Sequence, residues 1–332
     1  MGIVWTVLFA VASVEPEAAA LVPRNPAVEA AVSKALDYLQ ATQSGDGSWG
    51  GRGSSYSRHV GITGLCGMAF MSAGHLPGRG KHGKNVDDAL AFVLSMVGRD
   101  GYIGTKESGM YGHGFAALFL GEVYGMSPRP ELGRSVRLAT ELSVRAQKED
   151  GGWRYEPVSY GYSDVSVTTC IIMSLRAARN AGVDVPKETI EKAVNYLRQC
   201  VNPDGGLRYM VMDQGESRPA LTAAAVISFY GLGRYDLPEI NRGVTFLENY
   251  HRTVPFSTKY PHYYYSLYYE AQAMYQVGGE RWKQWYADVS SELIRTQAQD
   301  GSWSDYVGNA YATAMAALVL EVPYSYLPIF QR

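Results

Sequence analysis

The sequence has little of what several classes of protein require. Only three of its 332 residues are cysteine, and Cys66, Cys170 and Cys200 lie in apolar runs without Cys-x-x-Cys spacing. We therefore expect buried free thiols rather than a framework of disulfides. Charged residues make up 19% of the chain and the net charge is −2, which excludes a broad electrostatic attraction to nucleic acid or anionic lipid.

Long apolar runs are also scarce. The run at residues 3–14 has twelve residues, too few to span a bilayer, and nothing later in the chain is long and apolar enough to span one. Residues 18–20, all alanine, fit the small-residue cleavage site of a secretory signal peptide, although no Lys or Arg precedes the apolar run. We predict a signal peptide over residues 1–20 and an exported mature chain, periplasmic or extracellular. The alternative is a loosely docked N-terminal segment.

What the sequence does have is a recurring unit. Residues 34–49 read KALDYLQATQSGDGSW, in which aliphatic residues recur at helical spacing and glycines end the helix before Trp49. Similar units start at residues 34, 88, 138, 192, 242 and 288, so the period is 46–54 residues. Five of the six units carry Asp-Gly at the turn, with the acids Asp46, Asp100, Asp150, Asp204 and Asp300. Such self-similarity is typical of a repeat architecture, in which one unit cannot bury its own apolar face.

A second helix, more apolar than the first, is predicted after each turn. The first outer helix is predicted over residues 27–43. The second helices are predicted over residues 58–74, 111–125, 164–182, 219–233, 262–278 and 310–322. Because they are rich in Ala, Leu, Val, Met and Gly and carry few charges, we expect them to be packed on several sides and to form an inner layer.

The segment KALDYLQATQSGDGSW resembles the QW repeat of the terpenoid cyclase and protein prenyltransferase superfamily, and the resemblance covers nearly the whole chain after about residue 28. It implies an all-α fold, an α6/α6 toroid of six helical hairpins with six inner helices around a central cavity. In that family the Gln and Trp of the motif tie the end of the outer helix to the next unit. We expect one toroid domain over residues 21–332. The motif specifies fold strongly and chemistry weakly.

Candidate site residues lie where the inner helices begin, because helix N-termini offer free amide groups and partial positive charge. The Asp of the turn lies thirteen residues before His59, His113, Ser163 and Ser217, which suggests one ring around a cavity mouth. The predicted ligand-binding residues are Arg58, His59, Tyr111, His113, Asp164, Arg218, His262, Tyr264, Tyr265, Tyr268 and Tyr311. Asp164 and His113 are the candidate catalytic residues.

Two chemistries of that superfamily depend on motifs that this chain carries only in part. A class II terpene cyclase protonates an isoprenoid through Asp-x-Asp-Asp-Thr. The nearest match, DVSVT at residues 164–168, has Ser166 where the proton-donating Asp belongs, and a Ser cannot supply a strong acid. A protein prenyltransferase holds zinc with an Asp, a Cys two residues later and a distant His, and Ser166 also takes the place of that Cys. We expect neither usual mechanism.

A metal site is the weaker hypothesis for this chain. Ring geometry would allow zinc to bind His59, His113, His262 and Asp164 if all four faced one cavity. Histidines at helix starts more often form hydrogen bonds within a pocket, so we predict no metal and no cofactor. Each Asp-Gly turn supplies one carboxylate, too few for a calcium site.

The tyrosines point to the kind of ligand. The chain has 25 Tyr, and five of them follow His262 within seven residues. Because Tyr has an apolar body and a polar tip, it suits a wet pocket for a sterol-like or sugar-like ligand. We predict a Tyr- and His-lined cavity that binds an isoprenoid-like or other hydrophobic ligand, with catalysis left open. The alternatives are a polysaccharide lyase or hydrolase on the same toroid, which would need a long open groove, and a divergent terpene cyclase or prenyltransferase. A protein partner also stays open.

Overall fold

The computed structural model describes residues 25–51, 56–105, 107–257 and 262–331, so the predicted signal peptide lies outside the described residues. Twelve α-helices occur in these ranges. They are α1 (Pro26–Thr42), α2 (Val60–Ser72), α3 (Gly83–Ser95), α4 (Gly109–Met126), α5 (Pro130–Arg145), α6 (Val165–Asn180), α7 (Lys187–Gln199), α8 (Pro219–Gly231), α9 (Pro238–Thr253), α10 (Tyr263–Val277), α11 (Gly279–Thr296) and α12 (Asn309–Glu321). None of these helices is long and apolar enough to cross a membrane.

The even-numbered helices form a closed inner ring. Each packs against the next even-numbered helix, and α12 packs against α2, while the odd-numbered helices pack outside them. The inner helices are buried almost throughout their length because they are apolar on every face. Each predicted inner helix matches an observed one to within two residues at either end. The α6/α6 toroid is therefore confirmed.

The Gln, Gly and Trp of the repeat hold neighbouring units together. The Nε2 atom of Gln43 donates to the carbonyl oxygens of Gly47 and of Asn85 on the next outer helix, both at 3.0 Å. The indole of Trp49 donates to the carbonyl oxygen of Leu39 at 2.9 Å. The same two contacts are made by Gln147 and Trp153 and by Gln297 and Trp303. Each turn is thereby joined both to the helix that it ends and to the following unit.

The last unit closes the ring on the first. Gln297 donates to the carbonyl oxygen of Ala31 on α1 at 2.8 Å. Gly301 lies beside Lys34 with φ of +88°, and a Cβ atom there would collide with the Lys34 carbonyl oxygen. Only glycine combines this backbone conformation with so close an approach.

The C-terminal segment crosses the far end of the inner ring. Two short 3₁₀ helices, Val322–Tyr324 and Pro328–Phe330, follow α12, and the second packs against α4 and α6. The amide of Ile329 donates to Oε2 of Glu122 at 3.1 Å, and Arg176 donates to the carbonyl oxygen of Gln331 at 2.9 Å. We call residues 322–331 the C-terminal tail. It covers the ends of α4 and α6, so access to the ring interior is expected from the end where the inner helices begin.

Candidate functional site

A repeated hydrogen bond sets the position at which most inner helices begin. The amide of Trp49 donates to Oγ1 of Thr63 in the first turn of α2 at 3.0 Å. The equivalent acceptors in later units are Thr168, Thr222 and Thr313. In the second unit the amide of Ile103 donates instead to Nδ1 of His113 at 3.2 Å. His113 is thus the counterpart of these threonines.

His113 therefore lies between the two helix layers. Its Nε2 atom is 3.0 Å from the hydroxyl of Ser143 on the outer helix α5, and the ring is completely buried. Burial lowers the pKa of His113 to about 4, so the imidazole is neutral near pH 7. Because Nδ1 accepts from the Ile103 amide of the turn and Nε2 faces Ser143 of α5, the imidazole of His113 is directed away from the ring interior.

The spacing of thirteen residues from the Asp of each turn does not arise from a ring of residues around a cavity. The hydroxyl of Ser163 donates to Asp150 at 2.5 Å, and the hydroxyl of Ser217 donates to Asp204 at 2.7 Å. In these two units the spacing reflects a bond between the turn and the chain just before the inner helix. His113 has the same spacing, but it occupies the position that threonine takes elsewhere.

Four predicted residues immediately precede inner helices and share one register: His59, Asp164, Arg218 and His262. His59 is buried and accepts from the amide of Ile62 at 3.3 Å, and burial lowers its pKa to about 4. His262 is exposed and lies 3.1 Å from the hydroxyl of Tyr306. The two histidines therefore differ in environment although they occupy equivalent positions.

Asp164 is held as a helix cap. Its Oδ1 atom accepts from the amide of Val167 at 2.9 Å and from the hydroxyl of Ser166 at 2.6 Å. Burial raises the pKa of Asp164, against the opposing effects of those two hydrogen bonds and of Arg154, whose Nε lies 3.9 Å from Oδ2. Oδ2 is buried and has no hydrogen-bond partner among the described residues. The carboxyl group is thus enclosed at the start of α6.

Around Ser166 lies a group of tyrosines from three other inner helices. The hydroxyl of Tyr265 donates to the carbonyl oxygen of Ser166 at 3.3 Å. Tyr111 interacts with both Ser166 and Tyr265. Tyr311 in turn interacts with Tyr265. Burial raises the pKa of all three phenols well above the usual value, yet each side chain remains partly exposed. Protein therefore surrounds these side chains, and solvent still reaches them. We call Tyr111, Ser166, Tyr265 and Tyr311 the tyrosine basin.

Below the basin, aromatic rings fill the centre of the toroid. Tyr269 lies edge-on to Tyr265 and to Tyr268, with ring centroids 4.8 Å and 5.0 Å apart. Tyr268 contacts Phe115 of α4, the helix opposite α10 in the ring, with centroids 6.3 Å apart. Of the predicted residues, Tyr111, Tyr265, Tyr268 and Tyr311 are thus brought to the ring interior, with Asp164 beside them.

Two other predicted residues are placed elsewhere. Tyr264 is buried next to Glu292 of α11 and Asp305, so it packs toward the outer layer. Arg58 pairs with Asp46 of the turn, and its guanidinium lies 5.6 Å from the ring of Phe92. Neither residue contributes to the basin.

A row of four side chains above the basin was missed by the sequence analysis except for Arg218. The hydroxyls of Tyr155 and Tyr209 are 2.6 Å apart. The guanidinium of Arg154 lies 5.6 Å from the ring of Tyr155, and that of Arg218 lies 5.3 Å from the ring of Tyr209. Tyr155 also lies 6.2 Å from Tyr111 of the basin. The sequence contained a signal for Tyr155 and Tyr209, because each follows the Trp position of its repeat unit by two residues.

No metal site emerges from the predicted histidines. In the part of the chain that the structure describes, no group of three or more His, Cys, Asp and Glu side chains is arranged to hold an ion. The described residues form two clefts of about 310 and 340 Å³. The first is lined in part by Tyr38, Trp49 and Asn309, and the second by His75, His82 and Tyr326. Neither contains a residue of the basin.

These features define the class of the fold, an α6/α6 toroid of the terpenoid cyclase kind. A family model, the squalene-hopene cyclase C-terminal domain, matches residues 122–275. The predicted resemblance to the terpenoid cyclase superfamily is confirmed. No curated protein sequence matches this chain.

Solved structures of similar fold have different activities. A variant of the type II terpene cyclase MstE from Scytonema, in complex with geranylgeranyl dihydroxybenzoate, has a TM-score of 0.63 and 14% identity, covering 91% of this chain and 98% of its own. An inactive variant of the α-1,6-mannanase GH76A from Salegentibacter, in complex with α-1,6-mannotriose, has a TM-score of 0.69 and 7% identity, covering 89% and 98%. A protein from Actinoplanes has a TM-score of 0.60 and 18% identity, covering 90% and 99%. At these identities the comparisons show the fold alone, so function must be inferred from the site.

Proposed function

We propose that this protein binds an isoprenoid-like or other hydrophobic ligand in the tyrosine basin, without the acid chemistry of a class II cyclase. The observation that carries the proposal is the contact between Ser166 and Asp164. Ser166 stands where the resemblance places the proton donor, and its hydroxyl donates to the Asp164 carboxylate at 2.6 Å. A hydroxyl cannot protonate an alkene, and the neighbouring carboxyl group of Asp164 caps α6.

The basin itself has the chemistry of a binding surface. Tyr111, Tyr265 and Tyr311 present aromatic surface that is only partly exposed, so a ligand that covers it removes apolar area from water. Their hydroxyls and the groups around Ser166 can hydrogen-bond a small number of oxygen atoms. Such a lining suits a mostly apolar ligand with few polar groups.

Isothermal titration calorimetry of the protein with a C20 isoprenoid alcohol tests this proposal. We expect binding that Tyr265→Ala weakens by about tenfold or more, since it removes a large buried aromatic contact. Tyr235→Ala is the matched control, because Tyr235 is exposed and lies beyond the opposite end of α8. Absence of binding, or equal loss in both variants, would contradict the basin as the site.

A saccharide-binding role is the second candidate, and the exposed tyrosines near the basin favour it. Tyr155, Tyr160, Tyr162 and Tyr306 are 46–74% exposed on the loops that precede α6 and α12. Exposed aromatic faces stack on sugar rings, and a mannanase shares the fold. Binding of α-1,6-mannotriose that is lost in Tyr160→Ala and Tyr162→Ala, but kept in Tyr265→Ala, would select this role over the first.

Export is part of the proposal, because residues 3–20 have the apolar run and small residues of a signal peptide. Expression in a bacterium with a Sec system, followed by N-terminal sequencing of the periplasmic fraction, tests it. We expect a mature chain that starts near Leu21. An uncleaved chain confined to the cytoplasmic fraction would contradict export.

A further inference from the structure

The four side chains above the basin form a row on the loops that precede α6 and α8. We call Arg154, Tyr155, Tyr209 and Arg218 the arginine–tyrosine row. The carbonyl oxygen of Tyr155 accepts from the amide of Met110 on α4 at 2.9 Å. The carbonyl oxygen of Tyr209 accepts from the amide of Val165 on α6, also at 2.9 Å. Because Tyr155 is 46% exposed and Arg218 is exposed as well, the row is both fixed to the inner helices and open to solvent.

The two guanidinium groups of the row have no hydrogen-bonded anion among the described residues. Nε of Arg154 is 3.9 Å from Oδ2 of Asp164, which is beyond hydrogen-bonding distance. Arg218 forms no ion pair within the described part of the chain, although Asp213 and Glu216 precede it closely in the sequence. Asp213 instead accepts from a backbone amide of its own loop at 2.9 Å. Both guanidinium groups therefore keep donors available for an acceptor from outside the chain.

A third arginine shows how the fold uses such a side chain when its role is structural. Arg208 directly precedes Tyr209, and three of its nitrogens donate to acceptors of the same loop and of the end of α7, at 2.6–3.2 Å. Arg154 and Arg218 make no such bonds among the described residues, and each lies over a tyrosine ring. These two arginines therefore do not hold the loops together in the way that Arg208 does.

The position of Arg218 is also unfavourable for the helix that follows it. Arg218 directly precedes α8 and makes no capping hydrogen bond with its side chain, whereas Asp164 at the equivalent position caps α6. A cation at the N-terminus of a helix lies at the positive end of the helix dipole, which costs stability. An anion bound there would be attracted by both the guanidinium and the helix end.

The loop beside the row presents further aromatic surface in a fixed arrangement. The ammonium of Lys148, a buried side chain, donates to the carbonyl oxygens of Val158 and Tyr160 at 2.8 and 2.5 Å. These bonds hold the loop that precedes α6, on which Tyr160 and Tyr162 are 74% and 58% exposed. Because the loop is ordered before binding, aromatic faces on it can receive sugar rings at a low cost in conformational entropy.

We propose that the arginine–tyrosine row binds the carboxylates of an acidic saccharide, a chain built from uronic acids. The inference rests on the saccharide-binding role, the second candidate function, and specifies the class of saccharide. The planar fork of a guanidinium donates two parallel hydrogen bonds to one carboxylate. Since Arg154 and Arg218 lie over different tyrosines, a chain with more than one uronic acid contacts both, while its sugar rings pack on Tyr155 and on the loop beside it.

The test compares charged and uncharged forms of the same sugars. Calorimetric titrations use trisaccharides of galacturonic, glucuronic and mannuronic acid and their methyl esters, which keep the sugar rings and lose the charge. We expect at least one acid to bind the wild type about tenfold more tightly than its ester. Arg154→Gln and Arg218→Gln should each reduce this preference to about threefold or less. Arg137→Gln is the matched control and should keep it, because Arg137 is exposed on the outer helix α5.

Two further variants distinguish direct binding from a structural effect. Tyr155→Ala removes aromatic surface but no charge, so it should weaken the acid and the ester by the same factor. Arg218→Lys keeps the charge and loses the planar fork, so it should keep part of the preference for the acid. Neither Arg218 variant should change the affinity for the C20 isoprenoid alcohol, because Arg218 lies over Tyr209, outside the basin.

The outcomes separate this inference from the proposed functions. Equal affinity of the wild type for acids and esters would overturn the inference and leave binding of a neutral saccharide intact. Failure of every saccharide to bind, α-1,6-mannotriose included, would overturn the inference and the saccharide role together, without bearing on the isoprenoid alcohol. A preference for the acid that persists when Arg154 and Arg218 are both replaced by Gln would place the carboxylates elsewhere and overturn the inference.

Discussion

The hydroxyl of Ser166, in the first turn of α6, donates a hydrogen bond to Oδ1 of Asp164 at 2.6 Å. The pair occupies the segment that the resemblance assigns to cyclase acid chemistry. Here it serves the helix start, because the same carboxylate oxygen accepts from the amide of Val167. The residue that would be an acid is a hydrogen-bond donor, and the acid beside it is a cap.

Replacing Asp164 distinguishes a capping role from a role that needs its charge. Asp164→Ala removes the acceptor of Val167 and Ser166, so we expect the free energy of unfolding to fall by about 1–2 kcal/mol. Asp164→Asn keeps an acceptor oxygen and should lose only a few tenths of that amount. Urea unfolding at pH 7 measures both. Equal losses for the two variants would show that the negative charge, rather than the cap, is what stabilises α6.

His113 should be required for stability and not for ligand binding. His113→Leu leaves the Ile103 amide and the Ser143 hydroxyl without their buried partner, so we expect a loss of about 1–3 kcal/mol in unfolding free energy. His113→Asn provides an acceptor near the position of Nδ1 and should recover part of this loss. Affinity for the isoprenoid alcohol should be unchanged in a folded His113 variant. A folded variant that loses affinity would place His113 in the binding site after all.

Gly301 should be far less replaceable than a glycine of the same conformation elsewhere. Gly301→Ala brings a Cβ atom against the Lys34 carbonyl oxygen, whereas Gly74 has the same φ of +88° with nothing within 4 Å. We expect about 1–2 kcal/mol of destabilisation for Gly74→Ala from backbone conformation alone. Gly301→Ala adds the steric clash, for a total of about 2–5 kcal/mol. Thermal or urea unfolding measures both variants. Similar losses of unfolding free energy in Gly301→Ala and Gly74→Ala would mean that the close contact between Gly301 and α1 contributes little to stability.

Glu122 should make stability depend on pH in the direction opposite to that of most carboxyl groups. Its pKa is about 8 in the folded chain against 4.5 for the unperturbed group. The stabilisation it provides is fully present below pH 4.5 and is lost as the pH rises through about 8. Glu122→Gln cannot ionise, so its stability relative to wild type should improve by at most about 1.4 kcal/mol per pH unit between pH 5 and 8. Urea unfolding of both proteins from pH 5 to pH 9 measures this, and a difference that does not vary with pH would contradict the prediction.

The helices could be predicted because their signals are local. Apolar spacing and Asp-Gly turns are read within a few residues, and the inner helices needed no partner to be recognised as apolar on every side. Because these helices are apolar on every side, the sequence does not show how each is rotated about its own axis. A helix without a polar face gives no sign of its rotation, so Tyr264 and Tyr265 are alike in the sequence, and only packing against α11 turns Tyr264 outward.

The site was predicted less well because the loops differ in length. Trp49 and Thr63 are fourteen residues apart, whereas Ile103 and His113 are ten apart and Trp153 and Thr168 fifteen. A fixed offset from the turn therefore cannot align the helix starts, and His113 was matched to His59 instead of Thr63.

Native mass spectrometry of the wild type and of Tyr265→Ala, each incubated with the C20 isoprenoid alcohol, tests binding in the basin most directly. The proposal predicts that the wild type carries one noncovalent ligand mass that denaturation removes, and that Tyr265→Ala carries much less. A wild type that shows only the mass of the free chain would contradict the proposal. A variant that retains as much ligand as the wild type would contradict it as well.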